Sequence, residues 1–492
     1  MTTAEGRRYR FAPLERRGVI AGVRAGQLVA ATTGLVAGVA ALRAARSPLL
    51  GAVLAASLAA GGAAVAWLPV KGRTTEEWAP VGWSWARARL AGRHRHVDRA
   101  CLVGSPPPGP GGGTTDASAG RGPLAGCEVL VPPVGLGGRR MAIVQDRQCG
   151  TFVGVLAVRA SGFALVGGEE QRRRLDAWAA VLSGLAREGT LVHRAQWVLR
   201  VVPGDADDLL RHLEAAGSPG APADATASYR ELVEGAGPAA RRHEAFLALA
   251  VHRRRVRSRG EAGGAPEVVA RELRALEAAL APTDIESEGP LGAGALRRLL
   301  REMADPALAR AGMRGRGQVG ALGGVPMAGD GGWSMYRCDG GYHASYWIAE
   351  WPRVDVGPEF LTPLLLGAQH RRTVSLVLEP VPARRAAREA EAARTAHMAD
   401  DELRRRGGFI TSARRRREQE EVLIRETELA DGHALYRYSG YATASARSSE
   451  ELAAACSELE VAAARAHLDL RRLYGQQAEA FSWTLPLARG LA

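Results

Sequence analysis

The sequence predicts a membrane-anchored α+β protein: an N-terminal two-helix transmembrane hairpin followed by cytoplasmic α+β half-domains with helical arms. Three observations lead there. Residues 18–42 and 48–68 are apolar stretches joined only by RAARS, residues 43–47. Beyond Cys127, short strand-like runs interleave with helical periodicities. The order strand, helix, strand, long helix, first met over residues 151–216, recurs from Tyr342 onward, a duplication of topology without clear sequence similarity.

In the first apolar stretch Arg24 leaves residues 25–42 as the clean core, and the second carries no charge. A hydrocarbon layer of ~30 Å is crossed by roughly 20 helical residues, so both stretches are long enough. The short link makes the two helices antiparallel neighbours. A cleaved signal peptide fits poorly, because the second span is the longer and cleaner one; the remaining alternative is a hairpin buried in a soluble core. Gly34 and Gly38 have the small-xxx-small spacing that lets helix backbones approach in lipid. Arg7, Arg8, Arg10, Arg16 and Arg17 precede the hairpin and Lys71, Arg73, Arg87, Arg89, Arg93 and Arg95 follow it, against Arg43 and Arg46 in the link. The positive-inside rule then puts both termini in the cytoplasm and the chain in the inner membrane. Arg7, Arg8, Arg16, Arg17, Lys71 and Arg73 are the residues expected to contact anionic lipid.

The 492 residues carry a net charge of +13, and Lys71 is the only lysine. Arginine at lysine's expense, with abundant Ala and Gly, is the composition of a GC-rich genome. Such basicity suits anionic lipid, an acidic partner or nucleic acid. At a cytoplasmic leaflet lipid is the simplest reading, and nothing in the sequence supports nucleic acid specifically. The five cysteines are scattered, which excludes a disulfide framework and a C-x-x-C metal site.

In chain order, residues 1–73 are the arm and hairpin, and 74–126 a juxtamembrane segment and linker. Residues 75–100 are basic and contain Trp78, Trp83 and Trp85, as in segments at headgroup level. His94, His96, Asp98 and Cys101 follow, but their spacing matches no standard metal site. The PPPGPGGG tract reads as linker. Residues 127–216 form the first half-domain: strands at 127–131, 140–145, 151–157 and 164–166, a helix at 169–187, a strand at 191–202 and a helix from 205. Residues 217–332 read as a helical insertion, with helices at 227–256, 266–280 and 289–304, then a glycine-rich loop. Gly315, Gly317 and Gly320 match G-x-G-x-x-G by letter but lack its strand-to-helix context. Residues 333–492 are the second half-domain: a strand at 342–351, a proline-opened helix at 358–366, a strand at 373–378, charged arms over 383–429 broken at Gly407-Gly408, a strand at 433–445, a helix at 449–473 and a closing strand at 480–487.

No Walker A motif, nucleophile elbow or H-E-x-x-H helix occurs. Asp339, Glu350 and Asp355 near strand ends are the carboxylates an enzyme would have to use. No cofactor is expected.

YWIAEWPRVDVGPEFLTPLL (346–365), TVSLVLEPVPARRAAREA (373–390), the run from Glu428 to Glu460 and QQAEAFSWTLPLARGL (476–491) together resemble the N-terminal, non-motor portion of TraC-like type IV secretion and conjugation ATPases. The hairpin resembles the PrgI-like membrane component of those machines, and the combination is similar to an actinobacterial family of conjugation-type membrane proteins. WP-x-V-x-V-x-P-x-FL-x-PLL and the LPL ending carry the resemblance most specifically. The motor domain is lacking, so no catalytic residue transfers. The resemblance implies a non-catalytic inner-membrane scaffold in an oligomeric complex, docking a separate motor ATPase and other membrane subunits. Trp351, Pro352, Val354, Val356, Phe360, Leu361, Leu364 and Leu365 are the expected docking residues. The alternatives are a type VII secretion component resembling EccE, with two N-terminal spans, or a membrane-tethered enzyme.

Overall fold

The computed structural model describes residues 9, 11, 25–68, 73–97, 122–132, 135–136, 139–160, 162–204, 210, 222–236, 241–261, 264–308, 326, 328–406, 424, 427–429 and 431–491. It opens on two helices, α1 (Ala25–Ala44) and α2 (Pro48–Trp67), each of 20 residues. At 1.5 Å per residue each is ~30 Å long. Their contact is made by glycine: a Cβ on Gly34 would lie 2.7 Å from Gly62 Cα, and one on Gly38 would lie 2.9 Å from the Ala55 carbonyl oxygen. The Gly34/Gly38 spacing therefore does set a close backbone crossing. Most of the remaining surface is bare apolar side chain, with Val36 67% and Leu49 79% exposed. Among the described residues, little covers the hairpin.

Next come α3 (Thr75–Leu90) and β1 (Arg95–Val97), then β2 (Cys127–Leu130), the small hairpin β3 (Gly135–Leu136) and β4 (Arg139–Arg140), and β5 (Ile143–Asp146). The first repeat runs β6 (Thr151–Ala160), α4 (Gly168–Leu185), β7 (Val192–Pro203), α5 (Ala223–Ala236), β8 (Arg241–His252), α6 (Arg253–Ser258), α7 (Gly264–Leu280), β9 (Ile285–Pro290). After α8 (Ala293–Ala304), β10 (Ala328–Gly331) and β11 (Tyr336–Cys338), the second runs β12 (Gly341–Glu350), α9 (Thr362–Leu365), β13 (Arg371–Pro380), α10 (Ala383–Arg406), β14 (Tyr436–Ala446), α11 (Ser449–Arg465), β15 (Asp469–Arg472). Helix α12 (Gln477–Trp483) closes the series.

All these strands except β3 and β4 join one 13-stranded sheet, ordered β1-β10-β11-β12-β14-β13-β7-β8-β6-β5-β2, and its pairings are antiparallel. The order is a palindrome of the two repeats. The central pair is β7 with β13, in register from Arg372↔Val201 to Leu378↔Ala195. Outward follow β8 and β6 on one side and β14 and β12 on the other. Strands β5 and β9 lie end to end along one edge of β6, as β11 and β15 do along β12. The duplicated topology is thus a pseudo-twofold about the β7–β13 seam.

Both faces of the sheet are covered. On one, α4 and α7 pack on the first repeat and α11 on the second, with Trp197 at the seam touching both clusters. Burial follows the stripe: Val269, Leu273, Leu276 and Leu280 of α7 are all buried. On the other face lie α8 and the C-terminal segment, through Leu296, Leu300, Phe481, Leu485 and Leu487.

Several sequence expectations are corrected. The helix read over 227–256 is α5 followed by β8. The run AFLALAV has good helix formers, but as a central strand it is buried on both faces and shows no alternation to betray it. The segment 217–332, read as a helical insertion, therefore supplies β8 and β9 to the sheet. Residues 163–165 form a 3-10 turn rather than a strand. The helix at 358–366 shrinks to the single turn α9, and the one at 449–473 stops at Arg465 so that β15 can pair with β12. The closing tract 480–487 begins in helix α12, because Ala480 and Phe481 face the core together. Gly315, Gly317 and Gly320, most of the 105–126 linker, the 205–216 helix apart from Leu210 and the 407–423 arm lie outside the described residues.

Candidate partner-docking site

Strand β12 ends where Pro352, having no N–H, stops the ladder. Trp351 then folds back over β14. Its ring lies across Gly440, where a Cβ would sit 2.9 Å from Trp351 Cζ2 and 2.7 Å from Ile348 Cδ1. Only glycine admits the indole so close to the strand. Around it, ring centroids lie 5.6 Å away at Tyr438, 6.4 Å at Phe360 and 5.4 Å at Phe11. Phe11 also meets Phe360 at 5.6 Å.

Phe11 belongs to the arm ahead of the hairpin. Tyr9 forms an antiparallel bridge with Val356, its N–H donating to the Val356 carbonyl at 2.8 Å and the Val356 N–H donating back at 3.0 Å. The Phe11 N–H donates to the Pro352 carbonyl at 3.1 Å. Tyr9 and Phe11 are therefore laid along residues 352–356, with the Phe11 ring set between Trp351 and Phe360.

The expected docking residues converge, but not as a flat apolar edge. Leu364 is fully buried, Val356 and Pro352 are buried, and Trp351, Phe360, Leu361 and Leu365 pack partly under α11. Val354, 51% exposed, is the member that faces outward. The patch is largely the roof of the second repeat's core, because the apolar stripe that reads as a partner surface is needed to seal α11 against β12 and β13.

Beside Trp351 opens a cleft of about 650 Å³ between the diverging ends of β12 and β14, lined by Arg73, Trp347, Arg353, Arg437, Tyr438 and Trp483 among others. Glu350 on its wall is engaged by Arg353 at 2.6 Å, and Arg437 by Glu389 at 2.9 Å. Arg73 lies 5.4 Å from the Trp78 ring; burial lowers its pKa from the ordinary arginine value, against the attraction of Glu77. It points into this cleft. Arg7, Arg8, Arg16, Arg17 and Lys71 lie outside the described residues.

The exit from the hairpin is fastened as well. On α3, Trp78 stacks on Trp333 at 5.7 Å and Trp85 meets the same ring edge-on at 5.1 Å, while Trp78 also reaches Tyr474 at 5.9 Å. Two of the three tryptophans expected at headgroup level thus clamp α3 to the sheet. Trp83 and Leu90, 73% and 91% exposed, are left on its outer face.

The remaining candidates disperse. His96 is buried, its Nε2 3.4 Å from the Tyr336 hydroxyl, while Asp98 and Cys101 lie outside the described residues. The Asp339 carboxylate accepts from the Ala328 N–H at 2.9 Å, at the opposite end of β12 from Glu350. At ~3.3 Å per residue the two are roughly 30 Å apart, too far to share a substrate bond. Asp355 lies beyond the Glu350 end, so the three acids form no common centre. Sequence reasoning missed Tyr9, Phe11, Tyr438 and Gly440. A glycine inside the strand-like YRYSGYATA was the available signal for a close approach; the arm's arginines hid its two aromatics. The chain matches no protein-family profile and no curated protein sequence.

Proposed function

We propose that this chain is a non-catalytic inner-membrane scaffold of a type IV secretion-like or conjugative apparatus, and that its sheet region docks a separate motor ATPase on the cytoplasmic side. The observation that carries the membrane part is the bare hairpin: two ~30 Å helices joined by three residues, their outward faces apolar and uncovered by protein. The placement of Tyr9 and Phe11 supports an even number of spans. They precede the hairpin yet contact the domain that follows it, which supports a reading in which both flanks share one side of the membrane. The arginine distribution favours the cytoplasmic side, and Trp83 and Leu90 of α3 suit the headgroup layer.

The docking part rests on the resemblance of residues 346–365 and 476–491 to the non-motor region of TraC-like ATPases. The mechanism is mutual orientation. Trp78 and Trp85 join α3, the helix after the hairpin, to the sheet, and surface burial against a motor supplies the association energy. A tagged pull-down from native membranes in mild detergent tests it. Recovery of a TraC-like ATPase, with no nucleotide hydrolysis by the purified chain alone, is expected. Recovery of type VII secretion components instead, or turnover of a lipid-linked substrate, would overturn it.

A further inference from the structure

We infer that the 352–356 segment is a receptor for an extended peptide, that its ligand is a partner strand carrying an aromatic side chain two residues beyond its pairing position, and that Tyr9 and Phe11 occupy it in cis until that partner arrives. This deepens the scaffold reading and rests on it only for which protein supplies the strand.

The geometry defines the ligand. Tyr9 provides a backbone that both donates to and accepts from Val356, and Phe11 provides a donor to Pro352 and a ring for the slot between Trp351 and Phe360. That is β-bridge pairing of an extended segment with the loop after β12: backbone bonds give affinity and one aromatic pocket gives specificity. In an extended chain residues i and i+2 project to the same side, which fixes the aromatic at the second residue past the bridge.

The occupant is held by few bonds. Three backbone hydrogen bonds make an isolated bridge rather than a ladder. Its advantage is tethering, which gives a short intrachain segment a high effective concentration. A partner strand that extends the pairing past Val354 makes more bonds than the arm does and displaces it.

The test uses the full chain in detergent micelles and a fluorescent peptide of residues 5–14, EGRRYRFAPL, read by anisotropy. The wild-type chain, its site filled, should bind weakly. Phe11→Ala, which empties the slot, should bind saturably and roughly tenfold more tightly, as expected for one aromatic contact. The peptide with its phenylalanine changed to alanine should lose that gain on the same folded protein. Adding Trp351→Ala or Val356→Pro to Phe11→Ala should abolish it too. Equal binding by wild type and Phe11→Ala, or equal binding of the parent, alanine and scrambled peptides, would overturn the inference. Failure to recover a motor ATPase would leave this result standing, so the two readings fail separately.

Discussion

Gln196, buried at the middle of β7, ties the C-terminal segment to the sheet. Its amide nitrogen lies within 2.7 Å of Ser375 Oγ and 2.9 Å of the Trp483 and Leu485 carbonyls, and its oxygen accepts from the Ala488 N–H at 2.6 Å. One residue on, Arg489 donates to the buried Asp146 at 2.7 Å. Burial pushes the Asp146 carboxyl up, but Arg489 and the Cys149 N–H outweigh it and leave its pKa below the usual carboxylate value. A depressed carboxyl pKa stabilises the fold above its unfolded value near 4 and loses that as pH falls through the folded value. His343 acts at higher pH. A carbonyl only accepts, so Nε2, 2.9 Å from the Ala304 carbonyl, carries the proton, and Nδ1 accepts from the Ser445 hydroxyl at 2.9 Å. Burial lowers its pKa to about 4. Neutral in the fold but protonated when unfolded below about 6.5, it costs stability at about 1.4 kcal/mol per pH unit as pH falls from 6.5 toward 4. Denaturant midpoints should therefore fall between pH 6.5 and 4.5, and His343→Gln should flatten the slope; parallel slopes for the two chains would contradict this. None of these partnerships was legible in the sequence. Asp146 and Arg489 are 343 positions apart, and a lone His, Gln or Asp in an apolar run carries no mark of its partner.

The two-helix hairpin was legible because two long apolar runs flank a short link, and the Gly34-x-x-x-Gly38 spacing marked the face on which the helices meet. A Cβ on Gly62 would meet Gly34 Cα at 2.8 Å and the Ala30 carbonyl oxygen at 3.0 Å, whereas Gly61 has nothing within 4 Å. Gly62→Leu should therefore destabilise the detergent-solubilised chain by about 1–3 kcal/mol, the usual cost of overpacking. Gly61→Leu should leave its melting temperature unchanged. Equal effects of the two would mean the helices do not cross there. Elsewhere, element type was readable where periodicity was clean, as in α7 and α11, and failed where burial removed it. Strand β8 is apolar on both faces, and the proline-opened 358–366 tract has helix-start chemistry but only one turn of helix before Arg371. The expected docking residues do come together in space, yet their stripe is mostly consumed by α11.

At the scale of the molecule, duplication explains the sheet. Two repeats that would each leave an open edge strand, β7 and β13, remove those two edges by pairing with one another. The sequence showed the repeated order but not the seam, since strand pairing across the repeats leaves no local pattern. Around that sheet the chain fastens itself twice, through Phe11 before the hairpin and Trp78 and Trp85 after it. If the hairpin crosses a bilayer, its link must lie on one side and everything else on the other. The most direct test is labelling with a membrane-impermeant maleimide in a background where other cysteines are serine, using either Ser47→Cys in the link or the exposed native Cys149. The account predicts that Ser47→Cys reacts in intact cells and Cys149 only after permeabilisation. Labelling of Cys149 in intact cells, or protection of Ser47→Cys until lysis, would contradict it.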